Sequence, residues 1–302
     1  MANIDDRGVD LNELRARLGR VGVWLSAIGT LPAARERDLV AQIEALGYPT
    51  LWVTESHKEA FAHAAFVLAA SQRLTVATGI ANVWAREPET TVAGANTLGE
   101  AFDGRFVLGI GIGHASFVPR YDKPLSTMRN YLDRMHAASY AGPAPARPVP
   151  WLVAALRPGM LELARTRAQG SHPYFVPVEH TARTRDALGP DAVLAPEITV
   201  VLDADPDTAR ATARRFMQLY LGLANYTGNL RTLGFTESDL AGGGSDRLVD
   251  AIVAWGDTEA IQARVQAHLD AGADHVCIQP IDYSNDTPIE ALTRLAPALL
   301  RQ

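Results

Sequence analysis

The sequence predicts an α/β fold, a (β/α)8 TIM barrel, and three observations predict it. Short apolar runs alternate with amphipathic stretches along the chain, eight times over. The apolar runs are continuous, as strands buried on both faces of a parallel sheet require. The chain has 302 residues, 47% of them hydrophobic, which suffices for one large core, and eight units at this length favour a closed barrel over an open doubly wound sheet. The expected organisation is a single barrel domain over 1–302, with an insertion over roughly 223–256 before the last strand.

After a polar lead-in, 21–25 is the first strand. A helix over 35–46 carries Leu39, Val40, Ile43 and Leu46 at helical spacing and stops at Gly47, a good C-cap residue. Strand two, 51–53, opens into Thr54-Glu55-Ser56-His57. A helix over 61–71 leads to strand three, 74–80, and Pro88, its φ preset for a first turn, opens a helix to about 101. Strand four lies in RFVLGIGIGH, 105–114, and the helix 125–139 comes after it. The Pro/Ala-rich stretch 143–150 reads as an extended surface connector.

Strand five, 151–155, precedes a helix over 159–169; a weak strand six runs into His172-Pro173-Tyr174-Phe175, before a helix over 179–188. Strand seven is 198–202, with a long helix over 205–221 behind it. Residues 225–244 are polar, glycine-rich and poorly periodic, and 246–255 reads as a helix. Asp257 caps a helix through 271 that Gly272 ends; strand eight is 275–279 and the last helix 288–300.

Composition narrows the function. The net charge is −6 and the pI about 5.8, so no basic stripe supplies phosphate contacts and nucleic acid is not an expected partner. Lys58 and Lys123 are the only lysines, and neither is an obvious deep Schiff-base residue. A single cysteine, Cys277, excludes an internal disulfide and a cysteine-based zinc cluster. The first residues lack the apolar core of a signal peptide, and no stretch has the length of a membrane span. The expectation is a cytoplasmic protein with a small-molecule substrate.

In such a barrel the site sits at the C-terminal strand ends. Those ends carry Glu55-Ser56-His57, Gly79-Ile80-Ala81-Asn82, Gly111-Ile112-Gly113-His114, Ala155-Leu156-Arg157, His172-Pro173-Tyr174 and Gln279-Pro280-Ile281-Asp282. No metal is expected, because the eight histidines are scattered and no i, i+4 pair occurs. A glycosidase needs two facing carboxylates; Glu55 supplies one, but strand four ends in His114 and no convincing second is found. The run Gly109-Ile110-Gly111-Ile112-Gly113 lacks the dinucleotide GxGxxG spacing and the Lys-Ser/Thr of a P-loop. Its glycines serve either tight packing inside the barrel or the close approach of a planar ligand. His114, at the strand end, is the candidate proton donor or acceptor. Trp24, Trp84 and Phe117 suggest a partly hydrophobic pocket, but core or surface packing is the commoner role for each.

LWVTES (51–56), VATGIANVWAREP (76–88), GRFVLGIGIGH (104–114), SHPYFVPVEHTARTR (171–185), GSDRLVDAIVAWGD (244–257) and AGADHVCIQ (271–279) together carry a resemblance. In order and spacing they resemble the bacterial luciferase-like monooxygenase family, in the branch that uses coenzyme F420, a deazaflavin, and most closely its actinobacterial oxidoreductases. The resemblance covers nearly the whole chain. It implies a tricyclic ring at the barrel mouth, resting on a bulge after strand three that often holds a non-proline cis peptide, here at Gly79-Ile80. Glu55, with Ser56 beside it, falls near the ring's polar edge, and Ala81 and Asn82 continue the bulge. His114 stands where relatives often carry a glutamate as acid/base residue, and His57 is a second candidate base. Cofactor phosphate contacts map to Ala155-Leu156-Arg157 and to His172 and Tyr174, with Leu156-Arg157 replacing paired glycines; Arg157 either forks the phosphate or obstructs it. Dimerisation is common in the family.

The resulting expectation is an F420-dependent oxidoreductase moving a hydride between the cofactor and a small organic substrate. The alternative is an FMN-dependent monooxygenase on the same fold, and the third a catalytically inactive ligand-binding barrel.

Overall fold

The computed structural model describes residues 5, 7–285 and 287–300. Its strands are β1 (Val21–Leu25), β2 (Thr50–Val53), β3 (Thr75–Thr78), β4 (Ala81–Asn82), β5 (Phe106–Gly111), β6 (Trp151–Val153), β7 (Gly170–Ser171), β8 (Val193–Leu194), β9 (Glu197–Val201), β10 (Val253–Trp255) and β11 (Val276–Pro280). They are hydrogen-bonded in the order β10-β9-β11-β1-β2-β3-β5-β6-β7-β8, all parallel, with β4 paired to β5.

The order closes on itself, because β8 and β9 are two halves of one stretch interrupted at Pro196. β8 pairs with β7 and β9 with β11. Between them the Ala195 N–H donates to the Ser171 carbonyl at 2.9 Å, and the Cys277 N–H donates to the Pro196 carbonyl at 3.0 Å. The segment therefore bonds left and right at successive positions and completes an eight-position α/β barrel, with β10 added outside beside β9.

Helices cover the outer face: α2 (Ala33–Ala45), α3 (Ala60–Ala69), α4 (Pro88–Ala101), α5 (Pro124–Ala137), α6 (Pro158–Arg167), α7 (Val178–Leu188), α8 (Pro206–Leu221), α12 (Thr258–Asp270) and α13 (Ile289–Leu299). Three features differ from the sequence reading. The lead-in contains a helix, α1 (Leu11–Leu18), capped by the Asp10 carboxylate, which accepts the N–H groups of Asn12 and Glu13; residues 1–4 and 6 of that reading lie outside the described residues. Residues 225–244 are largely helical, as α9 (Ala224–Thr232) and α10 (Glu237–Leu240). The expected helix over 246–255 stops as α11 (Asp246–Ile252), and 253–255 turn into β10, where pairing with 199–201 satisfies the backbone better than another helical turn.

The barrel interior has its own core. Val9, Leu11, Leu14 and Leu18 from the α1 end meet Trp24, Trp52, Ala77, Val107, Leu152 and Val193 from the strands, so α1 plugs the N-terminal mouth. Above the plug, Trp52 stacks on His172 with centroids 4.1 Å apart and planes at 15°. The Trp52 indole N–H donates to His275 Nε2 at 3.1 Å, leaving His275 Nδ1–H to donate to the Gly19 carbonyl at 2.8 Å. A floor this well filled leaves the C-terminal end as the place where a ligand can enter.

Candidate functional site

A cavity of about 620 Å³ opens at the C-terminal ends of the strands. Of the strand-end residues read from sequence, Glu55, Ser56, Gly79, Ile80, Asn82, Ile112, Gly113, His114, Ala155, Leu156, His172 and Tyr174 line it. Ala81 and Gly111 do not: each is held in the β4–β5 pairing, Ala81 opposite Ile110 and Gly111 opposite Asn82. His57 lies on the exposed side of its loop, packed near Gly29. Arg157 is exposed and also absent from the lining; its guanidinium donates to Asn225 Oδ1 at 2.9 Å at the rim. It therefore does not plug the cavity.

The glycine run divides by role. A Cβ on Gly109 would collide with the Thr78 carbonyl, and one on Gly111 would stand 2.8 Å from Ile80 Cγ1. These two glycines let β5 press against the end of β3 and the bulge beyond it. Only Gly113, with φ +63°, faces the cavity. Of the two readings of the run, tight packing holds for Gly109 and Gly111, and a place beside the cavity for Gly113. The Gly79–Ile80 peptide in the bulge is cis.

Glu55 locks that bulge. One carboxylate oxygen accepts the Asn82 N–H at 2.7 Å and an Arg86 N–H at 3.2 Å, and the second oxygen pairs with the other Arg86 terminal nitrogen. Arg86 also donates to the Asn82 carbonyl at 3.3 Å and to Glu59 at 3.0 Å. The carboxylate in the cavity wall is thus charge-compensated from behind.

His114 lies at the other side. Its ring is 4.9 Å from that of Tyr226, tilted by 42°, and meets the edge of Phe117 at 6.2 Å. Burial lowers its pKa below the ordinary 6.5, so the imidazole is neutral at pH 7. Beneath, His172 Nδ1–H donates to the Ala195 carbonyl at 2.7 Å, and burial takes its pKa down to about 4. Its Nε2 and the Trp24 indole N–H are buried without partners, and both abut Gly79 where a side chain would stand. The Tyr174 hydroxyl donates to Gln279 Oε1 at 2.8 Å and accepts from the Tyr220 hydroxyl at 2.8 Å. His180 Nε2–H donates to the Leu156 carbonyl at 2.9 Å, fixing the end of β6.

Several lining residues escaped the sequence reading. Leu219, Tyr220, Leu223, Asn225 and Tyr226 reach the cavity from α8, α9 and the turn between them. The apolar spacing of LYLGLANY was the available signal, hidden by the polar composition of the stretch after it. Trp24 and Phe117 line the cavity, whereas Trp84 lies outside it, its indole N–H donating to the Ile112 carbonyl at 2.8 Å.

Fold and site together define an α/β barrel protein with a cavity of about 620 Å³ at the C-terminal mouth of the barrel. The family model described as luciferase-like monooxygenase matches residues 17–275, and the chain belongs to that family. Among curated proteins it is 29% identical over 120 residues to a Mycobacterium tuberculosis protein assigned by name to the coenzyme F420-dependent oxidoreductases. That match covers 38% of this chain and 35% of the relative, so the chain spans about a third of the length of the relative it matches.

Among solved structures, an F420-dependent secondary alcohol dehydrogenase in complex with an F420-acetone adduct superposes with TM-score 0.74 at 14% identity. The coenzyme F420-dependent tetrahydromethanopterin reductase of Methanopyrus kandleri gives 0.68 at 14%. The FMN-bound oxygenating constituent of 3,6-diketocamphane monooxygenase from Pseudomonas putida gives 0.69 at 15%. Each alignment covers 93% of this chain and 98% of the other. At these identities the likeness establishes the fold.

Proposed function

We propose that this chain is a deazaflavin-dependent oxidoreductase acting on a small organic substrate. The observation that carries the reading is that His114 and the Gly79–Ile80 bulge line one cavity at the strand ends. The names of the M. tuberculosis relative and of two of the structural neighbours point the same way. The residues fit such a ring: the unpartnered Trp24 N–H and His172 Nε2 offer one donor and one acceptor at the floor, and buried polar atoms of this kind favour a ligand that satisfies them. Glu55, Ser56, Asn82, Ile112 and Gly113 would hold one side, Ala155, Leu156 and Tyr174 the other, with Arg157 at the rim near the phosphate. When bound, the deazaflavin supplies a two-electron hydride acceptor or donor.

The chain's own share is positioning and one proton. A hydroxyl whose carbon loses hydride must also lose a proton, and neutral His114 accepts it; in the reductive direction the protonated imidazole returns it. Its lowered pKa suits the accepting role at pH 7. The aromatic walls exclude water from this exchange. His114→Ala should cut turnover roughly 10²- to 10⁴-fold while leaving deazaflavin affinity within about twofold. Unchanged turnover would remove His114 from the mechanism. The FMN-bound neighbour supports a second reading, reduced flavin with oxygen as co-substrate, which direct titration of both cofactors separates.

A further inference from the structure

The walls of the cavity carry information about what occupies the space beside His114. Among the described residues, no lysine or arginine lines it. Its one carboxylate, Glu55, already has its counter-charge in Arg86. Of two cations on the neighbouring loops, Lys58 pairs with buried Glu36, and Arg157 stays outside the lining, at the rim, bonded to Asn225. An anion brought against the wall of His114, Phe117, Leu219, Leu223 and Tyr226 would lose hydration and meet no cation among the lining residues, which costs far more than burying a neutral group of the same shape.

The rim adds an independent observation. Phe117 is 61% exposed and Leu219 55% exposed, and they are the two most exposed large hydrophobic side chains among the described residues. Both stand on the lip of this one cavity, Phe117 beside His114 and Leu219 on α8. Leu223 and Tyr226 continue the apolar surface inward until the Tyr226 ring meets His114. Scattered exposed apolar residues need no explanation, but two at one mouth, continuous with an apolar wall, mark a surface that a ligand covers.

We propose that the substrate side of the site takes an uncharged aromatic or alicyclic alcohol or ketone, bedded on Phe117, Leu219, Leu223 and Tyr226, and rejects phosphorylated and carboxylated molecules. The assignment rests on the reading of the cavity as an oxidoreductase site. Selectivity then resides in α8 and α9, with Tyr226 the specificity-determining residue beside the proton acceptor. Oxidation of such an alcohol to the neutral ketone would release its hydroxyl proton to His114, while a bound deazaflavin would supply the two-electron acceptor for the hydride.

Binding tests this without turnover. Three neutral probes, cyclohexanol, 1-phenylethanol and 1-indanol, are compared with their ring-carboxylated counterparts by saturation-transfer difference NMR on the full chain, with and without deazaflavin. At least one neutral probe should bind about 10²-fold more tightly than its carboxylated partner. Leu219→Arg, a change at an exposed position, should narrow that ratio about tenfold by supplying the missing cation. Equal binding of each pair, preference for the carboxylates, or no binding by any neutral probe overturns the inference. A deazaflavin fluorescence titration on the same samples separates the two claims: its failure counts against the cofactor reading, and the charge preference is read from the NMR alone.

Discussion

Removing Arg86 tests how the cavity keeps its bulge in place. The Glu55–Arg86 pair is largely buried, with side chains 14% and 9% exposed. Arg86→Met leaves the Glu55 carboxylate with the Asn82 N–H as its remaining partner at that oxygen, and an uncompensated charge at this depth costs about 3 kcal/mol. Glu55→Gln removes the charge but keeps the shape, and Arg86 retains Glu59 and the Asn82 carbonyl, so the loss is nearer ~1 kcal/mol. In the double variant neither charge is stranded, and a coupling of about 2 kcal/mol is expected. Urea denaturation of the four proteins at pH 7 measures it. Effects that add within about 0.5 kcal/mol would refute the view that Arg86 neutralises the cavity wall.

The same geometry sets three other outcomes. His172 and His275 are pushed down to about 4 and His268 to about 3, so the unfolded chain binds more protons below pH 6.5 and stability present above 6.5 is lost as pH falls, roughly 2 kcal/mol per histidine by pH 5. Glu197, held up to about 8 by burial, works oppositely: its contribution is complete below about 4.5 and declines as pH rises toward 8. Urea midpoints should therefore peak at about pH 6.5 to 7, and a profile flat from pH 5 to 8 would contradict both assignments. Gly109→Ala sets a methyl against the Thr78 carbonyl and should cost roughly 2–3 kcal/mol, seen as a lower Tm; an unchanged Tm would show that the strands have room. Trp52→Ala removes a fully buried ring that stacks on His172 and should cost about 3–5 kcal/mol in the same assay.

Continuous apolar runs made the barrel legible, because strands covered on both faces leave no polar alternation to confuse with helix. The α1 plug was missed although it left a signal in Asp10 followed by Leu11, Leu14 and Leu18: three leucines on a charged background read as lead-in unless the open barrel end that needs filling is considered. β10 was not legible: Ile252, Val253 and Ala254 continue a helical pattern, and a tertiary partner at 199–201 decides their state.

In the site, strand-end residues were legible because the barrel fixes where strand ends lie. His57 and Arg157 sit at the right sequence positions but turn outward, since a loop residue's direction is set by contacts that sequence spacing does not encode. Gly109 and Gly111 answer to the neighbouring strand and bulge, not to a ligand. Tyr226 reaches His114 from α9, across more than a hundred residues of chain, and no local motif links the two.

A paired titration of the purified chain with deazaflavin and with FMN, monitored by ring fluorescence, puts the cofactor reading to its sharpest test. Saturable deazaflavin binding is expected, and Gly79→Val, which crowds Trp24 and His172 at the floor, should abolish it while the chain stays folded by circular dichroism. Tight FMN binding with none for the deazaflavin would contradict that reading.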